Sequence, residues 1–443
     1  ITQLPATNAM AEQMPVIIIS DLHLGEACKD HSRIEYLKKG HRFDEAVCSF
    51  LEYHKENPHR NGPWCLILGG DLLDYLQVTV SPRDATATAQ KYGLGNSSDE
   101  TVWKTRVLTE RHRDFFLHLA DFVGHGHTVR LIRGNHDEDL FWPDAKCALV
   151  DALLGLYFGE EGSLGDRQDA FRSRIHFHEW FHYQEGYLYI EHGHRFDEYC
   201  ATPPQLAPRL PKSPERLTMP LSAIGIRYFA NLQPGFTTHD KEHWGFSEYY
   251  AYFRSSGIRG LFEQLSRFIN FLGVNIRYFV QHGRHPAPEA EAEHRTRLAE
   301  LAKTYKLSPE VVYKLDKLSV PSITHSGTDL LAQTFLIEVM GIAASPLVAL
   351  GTVVQTGSVI GGLAAFIITL LAAGATGQIM RNRLSKDVYA KLEHAAKTIS
   401  PLLKVPVVIF GHTHAPRCER LPHDHLAYYV NSGSFLAGLS RQH

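Results

Sequence analysis

The stretch PVIIISDLHLGE, residues 15–26, joins a run of β-branched residues to two chemically active side chains. Val16–Ile19 is the kind of short apolar run that forms a buried strand. Asp21 and His23 follow it at once, so a carboxylate and an imidazole leave the strand together at its C-terminal end. In α/β sheets, ligands bind at this end of the strands. The stretch therefore predicts an α/β fold with a functional site at a sheet edge.

The same arrangement recurs four times further along the chain. In each case an apolar run leads into Asp, Asn or His: CLIL (65–68) before GGDLLD (69–74), VRLI (129–132) before RGNHD (133–137), YLYI (187–190) before EHGH (191–194), and VPVVIF (405–410) before GHTH (411–414). The glycines let the backbone turn sharply, so that side chains from different strands can converge. One such motif alone is more often a turn or a core histidine, but five in order predict a site for Mn, Fe or Zn.

These motifs, D-x-H, GD-x-x-D, GNHD, H-G-H and GHTH in that order, resemble the calcineurin-like metallophosphoesterases. The resemblance covers residues 15–200 and 401–443. It implies an α/β fold of the α+β type, in which a β-sandwich is flanked by helices. It also implies two metal ions that share Asp71. One would be held by Asp21, His23, Asp71 and His414, and the other by Asp71, Asn135, His192 and His412.

The implied chemistry is hydrolysis of a phosphate ester or anhydride. Two divalent ions about 3.5–4 Å apart activate water and neutralise the phosphoryl group. Mn²⁺ is the expected metal, with Fe and Zn as alternatives. The resemblance gives His136 the role of stabilising the phosphoryl oxygens or protonating the leaving group, with Asp74 orienting it. Alternatively, Asp74 only caps a turn. The predicted substrate contacts are Asn135, His194 and Arg195.

The hexapeptide GHRFDE occurs twice, at residues 40–45 and 193–198. A structural repeat should extend over about 20–50 residues, so the match is not a repeated fold unit. The second copy follows a strand, and the family's ligand there is His192, just outside the hexapeptide. The first copy precedes an amphipathic stretch at 46–51, which predicts that Arg42, Asp44 and Glu45 form the N-terminal turn of a helix. His41 is therefore not expected to bind a metal.

Composition restricts the class of partner and the compartment. The 45 Lys and Arg against 48 Asp and Glu give a formal charge of −3, so no nucleic-acid partner is expected. The six cysteines show no paired spacing, which argues against a zinc ribbon or a disulfide scaffold and favours a reducing compartment. A chain of 443 residues exceeds the usual single domain of about 100–200.

We expect three segments: an N-terminal part of the catalytic core at 15–200, a helical insertion at 201–400, and a C-terminal part of the core at 401–443. The insertion should carry specificity. Residues 243–284 interleave aromatic side chains with Arg, which suits an interfacial surface or an apolar lid as well as an ordinary helical core. Residues 286–318 are charged and favour helix, which predicts a surface helix pair.

Residues 339–380 contain no charged side chain. A membrane span needs about 20 apolar residues, so this stretch predicts a hairpin of two helices with a turn at 355–358. Arg381, Arg383 and Lys386 follow at once, as expected of a cytoplasmic flank. We therefore predict attachment to the cytoplasmic face of a membrane. The alternative is a helix pair buried in the body or in a dimer interface.

Within the superfamily the arrangement is most similar to the UDP-2,3-diacylglucosamine pyrophosphohydrolases, in which a helical insertion covers an acylated sugar nucleotide. The similarity implies a lipid-linked substrate and a role in lipid metabolism. That group usually carries Arg where this chain has His136, so phosphodiester or phosphomonoester cleavage stays open. Two other functions stand beside this one: a soluble nucleotide phosphodiesterase or phosphatase of the same superfamily, and a non-enzymatic membrane scaffold.

Overall fold

The computed structural model describes residues 14–25, 34–159, 165–233, 257–282, 286–382, 387–422 and 426–434. Two β-sheets form its centre. Their strands, together with a small two-stranded ribbon, are β1 (Val16–Ile19), β2 (Cys65–Leu68), β3 (Thr128–Ile132), β4 (Ile175–His178), β5 (Phe181–Gln184), β6 (Leu188–Glu191), β7 (Arg209–Leu210), β8 (Ser213–Leu217), β9 (Val407–Phe410), β10 (Arg417–Arg420) and β11 (Tyr428–Asn431).

The first sheet is parallel throughout, in the order β1-β2-β3-β4. The second sheet has the order β10-β11-β9-β6-β5, with parallel pairs at its centre and antiparallel pairs at both edges. Its central strands β6 and β9 are separated in sequence by the whole insertion, so the first and last parts of the chain build one sheet together.

The alternation of side chains along the strands explains why the sheets pack face to face. On β2, Cys65 and Ile67 enter a cluster that also contains Leu188 and Ile190 of β6, so this cluster lies between the sheets. The alternating residues of the same strand, Leu66 and Leu68, belong to a separate cluster on the outer face of the first sheet. Short apolar runs of this kind can therefore be buried on both faces.

Helices cover both outer faces. Those before β6 are α1 (Ile34–Glu56), α2 (Ala87–Tyr92), α3 (Ser98–Arg111), α4 (Arg113–Gly124), α5 (Pro143–Phe158) and α6 (Gly165–Arg172). Those after it are α7 (Leu221–Tyr228), α8 (Gly257–His282), α9 (Pro288–Thr304), α10 (Pro309–Asp316), α11 (Gly327–Gln333), α12 (Leu336–Thr356), α13 (Val359–Arg381) and α14 (Val388–Leu403). The predicted fold, a sandwich flanked by helices with a large helical part, is confirmed.

The first GHRFDE copy lies inside a helix and not at its start. Helix α1 begins at Ile34, so residues 40–45 come after its first turn. The prediction that Arg42, Asp44 and Glu45 form the N-terminal turn is therefore wrong. Glu35, Lys38 and Lys39 are good helix formers, and the single Gly40 costs only about 1 kcal/mol relative to Ala. The helix consequently extends further toward the N-terminus than the amphipathic pattern alone indicated.

The chain between β6 and β9 is mainly helical where it is described. Helices α9 and α10 form a pair within 286–318 whose inner face, including Ala302, Val312 and Leu315, packs in the cluster over the second sheet. Helix α8 covers 257–282 of the aromatic stretch, and residues 243–256 lie outside the described residues. We retain 15–200, 201–400 and 401–443 as the proposed division of the chain.

Helices α12 and α13 form an apolar hairpin that is almost entirely exposed. Both are long and apolar enough to cross a membrane, yet only 11% and 6% of their apolar segments are buried. They pack on each other through small residues: a Cβ added to Gly341 would lie 2.2 Å from Ala373 Cβ. Among the described elements, only α11 packs extensively against this pair. The described part of the chain therefore does not bury the hairpin.

Candidate metal centre

The motif residues converge where the strands end. Asp21 follows β1, Asp71 follows β2, Asn135 follows β3, His192 follows β6 and His412 follows β9. Backbone hydrogen bonds hold the segments together at this edge: Asp21 N donates to Gly70 O at 3.0 Å, and Gly411 N donates to His192 O at 3.0 Å. Both sheets therefore supply side chains to one buried site.

The first donor group consists of Asp21, His23 and His414. His414 Nε2 lies 3.3 Å from Asp21 Oδ1 and 3.0 Å from His23 Nε2. His23 Nε2 also lies 3.7 Å from Asp71 Oδ2. Two imidazole nitrogens that face each other beside two carboxylates suit a shared cation, because both can direct lone pairs at it when the other ring nitrogens carry the protons.

The second donor group consists of Asp71, Asn135 and His192. His192 Nε2 lies 3.1 Å from both Asp71 Oδ2 and Asn135 Oδ1. The other ring nitrogen, Nδ1, lies 3.0 Å from Gly69 O and donates to it in the tautomer that suits a metal ligand. In that tautomer three acceptor atoms point at one place, which is the donor set of a divalent cation. Asp71 Oδ2 contributes to both groups.

The backbone around these ligands is strained. Asp21, His23, Asp71, His412 and His414 all have positive φ, between 47° and 68°. Only three other non-glycine residues among those described share this conformation, which costs a β-carbon-bearing residue about 1 kcal/mol or more. Strain concentrated at one cluster indicates that the surrounding fold imposes a geometry that the ligands would not adopt alone.

Glycine next to the ligands allows close approach of the loops. A Cβ added to Gly134 would lie 2.1 Å from Asp71 Oδ1, and one added to Gly70 would lie 2.3 Å from His192 Nδ1. A Cβ at Gly411 would lie 2.5 Å from Asp21 Oδ2. The glycines in the GD, GN and GH motifs are thus required because no side chain fits beside the metal-binding groups.

The electrostatics of the site fit cation binding. Burial opposes ionisation of Asp71, but His192, His136 and His23 together hold its pKa well below the usual range. For His192, burial favours the neutral ring, yet Asp71 and Asp21 raise its pKa to about 9. The site therefore stabilises positive charge next to Asp71.

Asp74 orients two histidines. Its Oδ2 atom lies 3.0 Å from His136 Nδ1 and 3.6 Å from His23 Nδ1. Its Oδ1 atom also accepts from Leu76 N and Gln77 N, so Asp74 caps a turn as well. Burial favours neutral His136, but Asp74 and Asp71 raise its pKa to about 9. The two interpretations of Asp74 are compatible, because the turn fixes the carboxylate that holds His136.

His412 has a carboxylate partner that sequence analysis did not identify. Its Nε2 atom lies 3.1 Å from Asp197 Oδ2, which leaves Nδ1 as the ring nitrogen available to a metal. Its backbone N–H donates to Asp21, and its ring centroid lies 5.3 Å from that of His192. Asp197 belongs to the second GHRFDE copy, but no local pattern could have shown that it meets a residue after the insertion.

Two further carboxylates organise the loops. Asp137 accepts from the backbone N–H groups of Leu72 and Gly134, which fixes the GD and GN motifs relative to each other. Glu138 lies near His194, with Oε2 3.9 Å from His194 Nε2, and burial raises its pKa to about 7. The sequence signal for Asp137 was present in GNHD, but its role as a backbone acceptor was not inferred.

The predicted substrate contacts differ in their surroundings. His194 is buried with its ring centroid 5.4 Å from that of His192, and burial keeps its pKa well below the usual range. Arg195 is directed elsewhere: Nε donates to Glu191 at 2.7 Å and Nη1 donates to Leu315 O at 2.8 Å. Its guanidinium is buried against Trp180. Arg195 therefore connects β6 to the insertion, and its assignment as a substrate contact stays a prediction.

A narrow cleft adjoins Asn135 and His136. Its walls come from the segments after β2, from residues 92–96 and from helix α7, and include Tyr75, Tyr92 and Ala223. Two cations line it. Lys104 pairs with Asp139, whereas Arg227 donates to Gly93 O at 2.9 Å and shows no carboxylate partner among the described residues. The cleft is therefore narrow and mainly apolar, and the charged side chains Lys104, Glu138, Asp139 and Arg227 all line it.

A sandwich whose strand ends gather Asp, Asn and His into two adjoining donor groups defines a metal-dependent hydrolase. The family model for calcineurin-like phosphoesterases matches residues 14–212, which is slightly less than half of the chain. The protein is a metal-dependent phosphoesterase. No curated protein and no solved structure gives a significant match. His412 and His414 lie beyond the matched residues, and their place in the site comes from its geometry.

Proposed function

We propose that the protein hydrolyses a phosphate ester or anhydride of a lipid-linked substrate at the cytoplasmic face of a membrane. The observation that carries the proposal is the exposed hairpin on a phosphoesterase body. Val354 and Ile360, near its tip, are 77% and 82% exposed. Leaving a continuous apolar surface of this size in water is unfavourable, and each helix matches the roughly 20 residues that cross a bilayer.

We assign the metal ligands as the sequence predicts. Asp21, His23, Asp71 and His414 would hold one divalent cation, and Asp71, Asn135, His192 and His412 the other. When bound, two such cations supply an activated water and charge neutralisation for the phosphoryl group. Carboxylate, amide and imidazole donors without a thiolate favour Mn²⁺, with Fe or Zn as alternatives.

His136 is the proposed proton donor to the leaving group. Asp74 holds its Nδ1 atom, which leaves Nε2 as the ring nitrogen available to the substrate. The contact with Asp74 stabilises the protonated form of the ring, as a general acid requires. His194, buried beside His192, and Asn135 complete the proposed contacts around the phosphoryl group.

The cleft beside His136 is the proposed place of the leaving group. Its apolar walls suit an organic group, and Arg227 suits a second anionic group, such as the other phosphate of an anhydride. A substrate with a single phosphate would not contact Arg227, so the two substrate classes can be compared experimentally.

The experiment that tests the proposal compares phosphate esters and anhydrides with and without acyl chains, in the presence of Mn²⁺ and phospholipid vesicles. We expect kcat/KM to be highest for an acylated substrate presented in vesicles. A soluble nucleotide substrate that reacts equally well or better would overturn the lipid assignment, and absence of hydrolysis with both metals bound would favour the scaffold.

Arg227→Met tests the cleft in the same assay. We expect a loss of about 10-fold or more in kcat/KM for an anhydride and little change for an aryl phosphodiester, since only the former meets the guanidinium. The matched control is Arg172→Met, which removes a solvent-exposed ion pair with Asp151 on the outer helices. Equal losses on both substrates would remove Arg227 from substrate recognition.

A further inference from the structure

Helix α8 has an exposed apolar face that no described part of the protein covers. Five of its large apolar side chains are exposed, among them Phe262 and Val280 at 68% and 70%. The others are Leu265, Ile269 and Ile276. Their spacing of three, four, seven and four residues places all five on one side of the helix, along about 27 Å.

The remaining faces of α8 have different environments. Gln264, Leu272 and Asn275 are buried, and Tyr278 Oη accepts from Met219 N at 2.7 Å. This side holds α8 against α7. Exposed polar side chains such as Glu263 and Gln281 lie on a third side. The helix is therefore fixed to the body while its apolar stripe, defined here as Phe262, Leu265, Ile269, Ile276 and Val280, points away from it.

One end of the stripe lies beside the base of the hairpin. A groove of about 570 Å³ lies between α8 and the beginning of the hairpin. Ile276, a member of the stripe, and Phe279 form one wall. Leu331 and Leu336, the last of which is the first residue of α12, form the other. The stripe thus reaches the base of the hairpin, where an inserted hairpin would leave the bilayer.

We propose that the apolar stripe of α8 rests in the interfacial layer of the same membrane that takes up the hairpin. The occupant is a phospholipid surface, because the stripe is continuous through the groove with the apolar hairpin base. Amphipathic helices bury such a face about 5–10 Å into the headgroup and acyl boundary. This inference rests on the membrane attachment proposed above and adds a second contact, which fixes the orientation of the body.

The orientation has a consequence for the substrate. Helix α7, against which α8 packs, supplies Ala223 and Arg227 to the cleft beside His136. A single helix layer therefore separates the proposed membrane face from the proposed leaving-group position. A lipid headgroup could reach the cleft while its chains stay in the bilayer.

The test uses the full chain with a fluorescent NBD label at one cysteine. Cys147 and Cys418 are exposed and Cys28 lies outside the described residues, so all three are first replaced by Ser. Labels are placed at Ile269→Cys in the stripe, at Gln281→Cys on the polar side, and at Leu363→Cys in the hairpin. With phosphatidylcholine–phosphatidylglycerol vesicles, we expect a blue shift at positions 269 and 363 and none at 281. Quenchers near the headgroups should act more on 269, and quenchers deep in the chains more on 363.

Each of the other outcomes overturns either the α8 contact alone or both the α8 contact and the hairpin anchor. A shift at 363 without one at 269 overturns the α8 contact and leaves the hairpin anchor intact. No shift at either position overturns both. A shift at 269 that appears without vesicles and grows with protein concentration would identify the stripe as a contact between copies of the chain, which also overturns the proposal.

A second variant gives an independent measurement. Leu265→Glu with Ile269→Glu should lower activity on a vesicle-embedded substrate about fivefold or more and leave activity on a soluble aryl phosphodiester unchanged. Gln281→Glu with Thr304→Glu adds the same charge at exposed positions away from the stripe and serves as the control. Equal activities of the two variants on vesicles would contradict the inference.

Discussion

Asp71 is the residue on which both donor groups depend. Its Oδ2 atom faces His192 on one side and His23 on the other, and its Oδ1 atom accepts from His136 N at 2.8 Å. One carboxylate thus joins the two proposed metal positions and the backbone of the proposed general acid. Removing its charge should affect all three.

We therefore expect Asp71→Asn to lower kcat by roughly 100-fold or more, because the amide keeps the shape but cannot bridge two cations. Turnover is measured with excess Mn²⁺, together with metal content by elemental analysis. Asp151→Asn, which changes an exposed carboxylate on α5, is the control. Near-normal turnover of Asp71→Asn would contradict the two-metal site.

The repeated hexapeptide provides its own comparison. His192→Ala should lose about one metal per chain, because His192 Nε2 lies among the donors of the second group. His41→Ala changes the histidine of the first copy, which lies on α1, and should lose none. Equal metal content in the two variants would show that His192 is not a ligand.

Gly134 tests the close approach of the loops. Gly134→Ala would place a Cβ against Asp71 Oδ1, so we expect weaker metal binding and a lower melting temperature. Gly155→Ala, in α5 with nothing near its added Cβ, should instead stabilise the protein by up to about 1 kcal/mol. Calorimetry with and without Mn²⁺ measures both. A Gly134→Ala protein with normal metal affinity would refute the steric argument.

Among the secondary-structure elements, the strands could be predicted from the sequence. The contacts between residues of distant segments could not. Each apolar run from CLIL to VVIF has the pattern of a buried strand, and the sequence after each run predicts the proposed ligand. GHRFDE shows the opposite case, since the same six residues lie within α1 in one copy and surround the turn His194–Phe196 in the other. Neighbouring residues decided the structure, and the contact of Asp197 with His412 required the folded chain.

The hairpin is the element with the clearest separable role. Replacing residues 339–380 with a short Gly/Ser linker should leave hydrolysis of a soluble aryl phosphodiester largely intact, because every proposed ligand lies outside it. Sedimentation with liposomes and activity on a long-chain lipid substrate should fall sharply. Circular dichroism confirms that the variant is folded. A folded, active variant that still sediments as well as the parent would refute anchoring by the hairpin.

At the scale of the whole molecule, the metal centre connects distant parts of the chain. Asp21 and His414 lie 3.3 Å apart at their nearest atoms although almost the entire sequence separates them. Bound cations should therefore stabilise the sandwich as a unit. We expect the melting temperature to rise with Mn²⁺ concentration, by an amount that follows RT ln(1 + [L]/Kd). A melting temperature unaffected by Mn²⁺ or by a chelator would argue against cation binding at this site.

The order of the ligands along the chain also affects how the protein is made. A ribosome adds the last residue of the hairpin before it adds His412 and His414, and at about 5–20 residues per second the interval is a few seconds. The first donor group lacks His414 during that interval, and the second metal position lacks His412, its proposed fourth ligand. In the membrane-attached enzyme proposed above, the catalytic site is therefore completed only after the anchoring segment has been made.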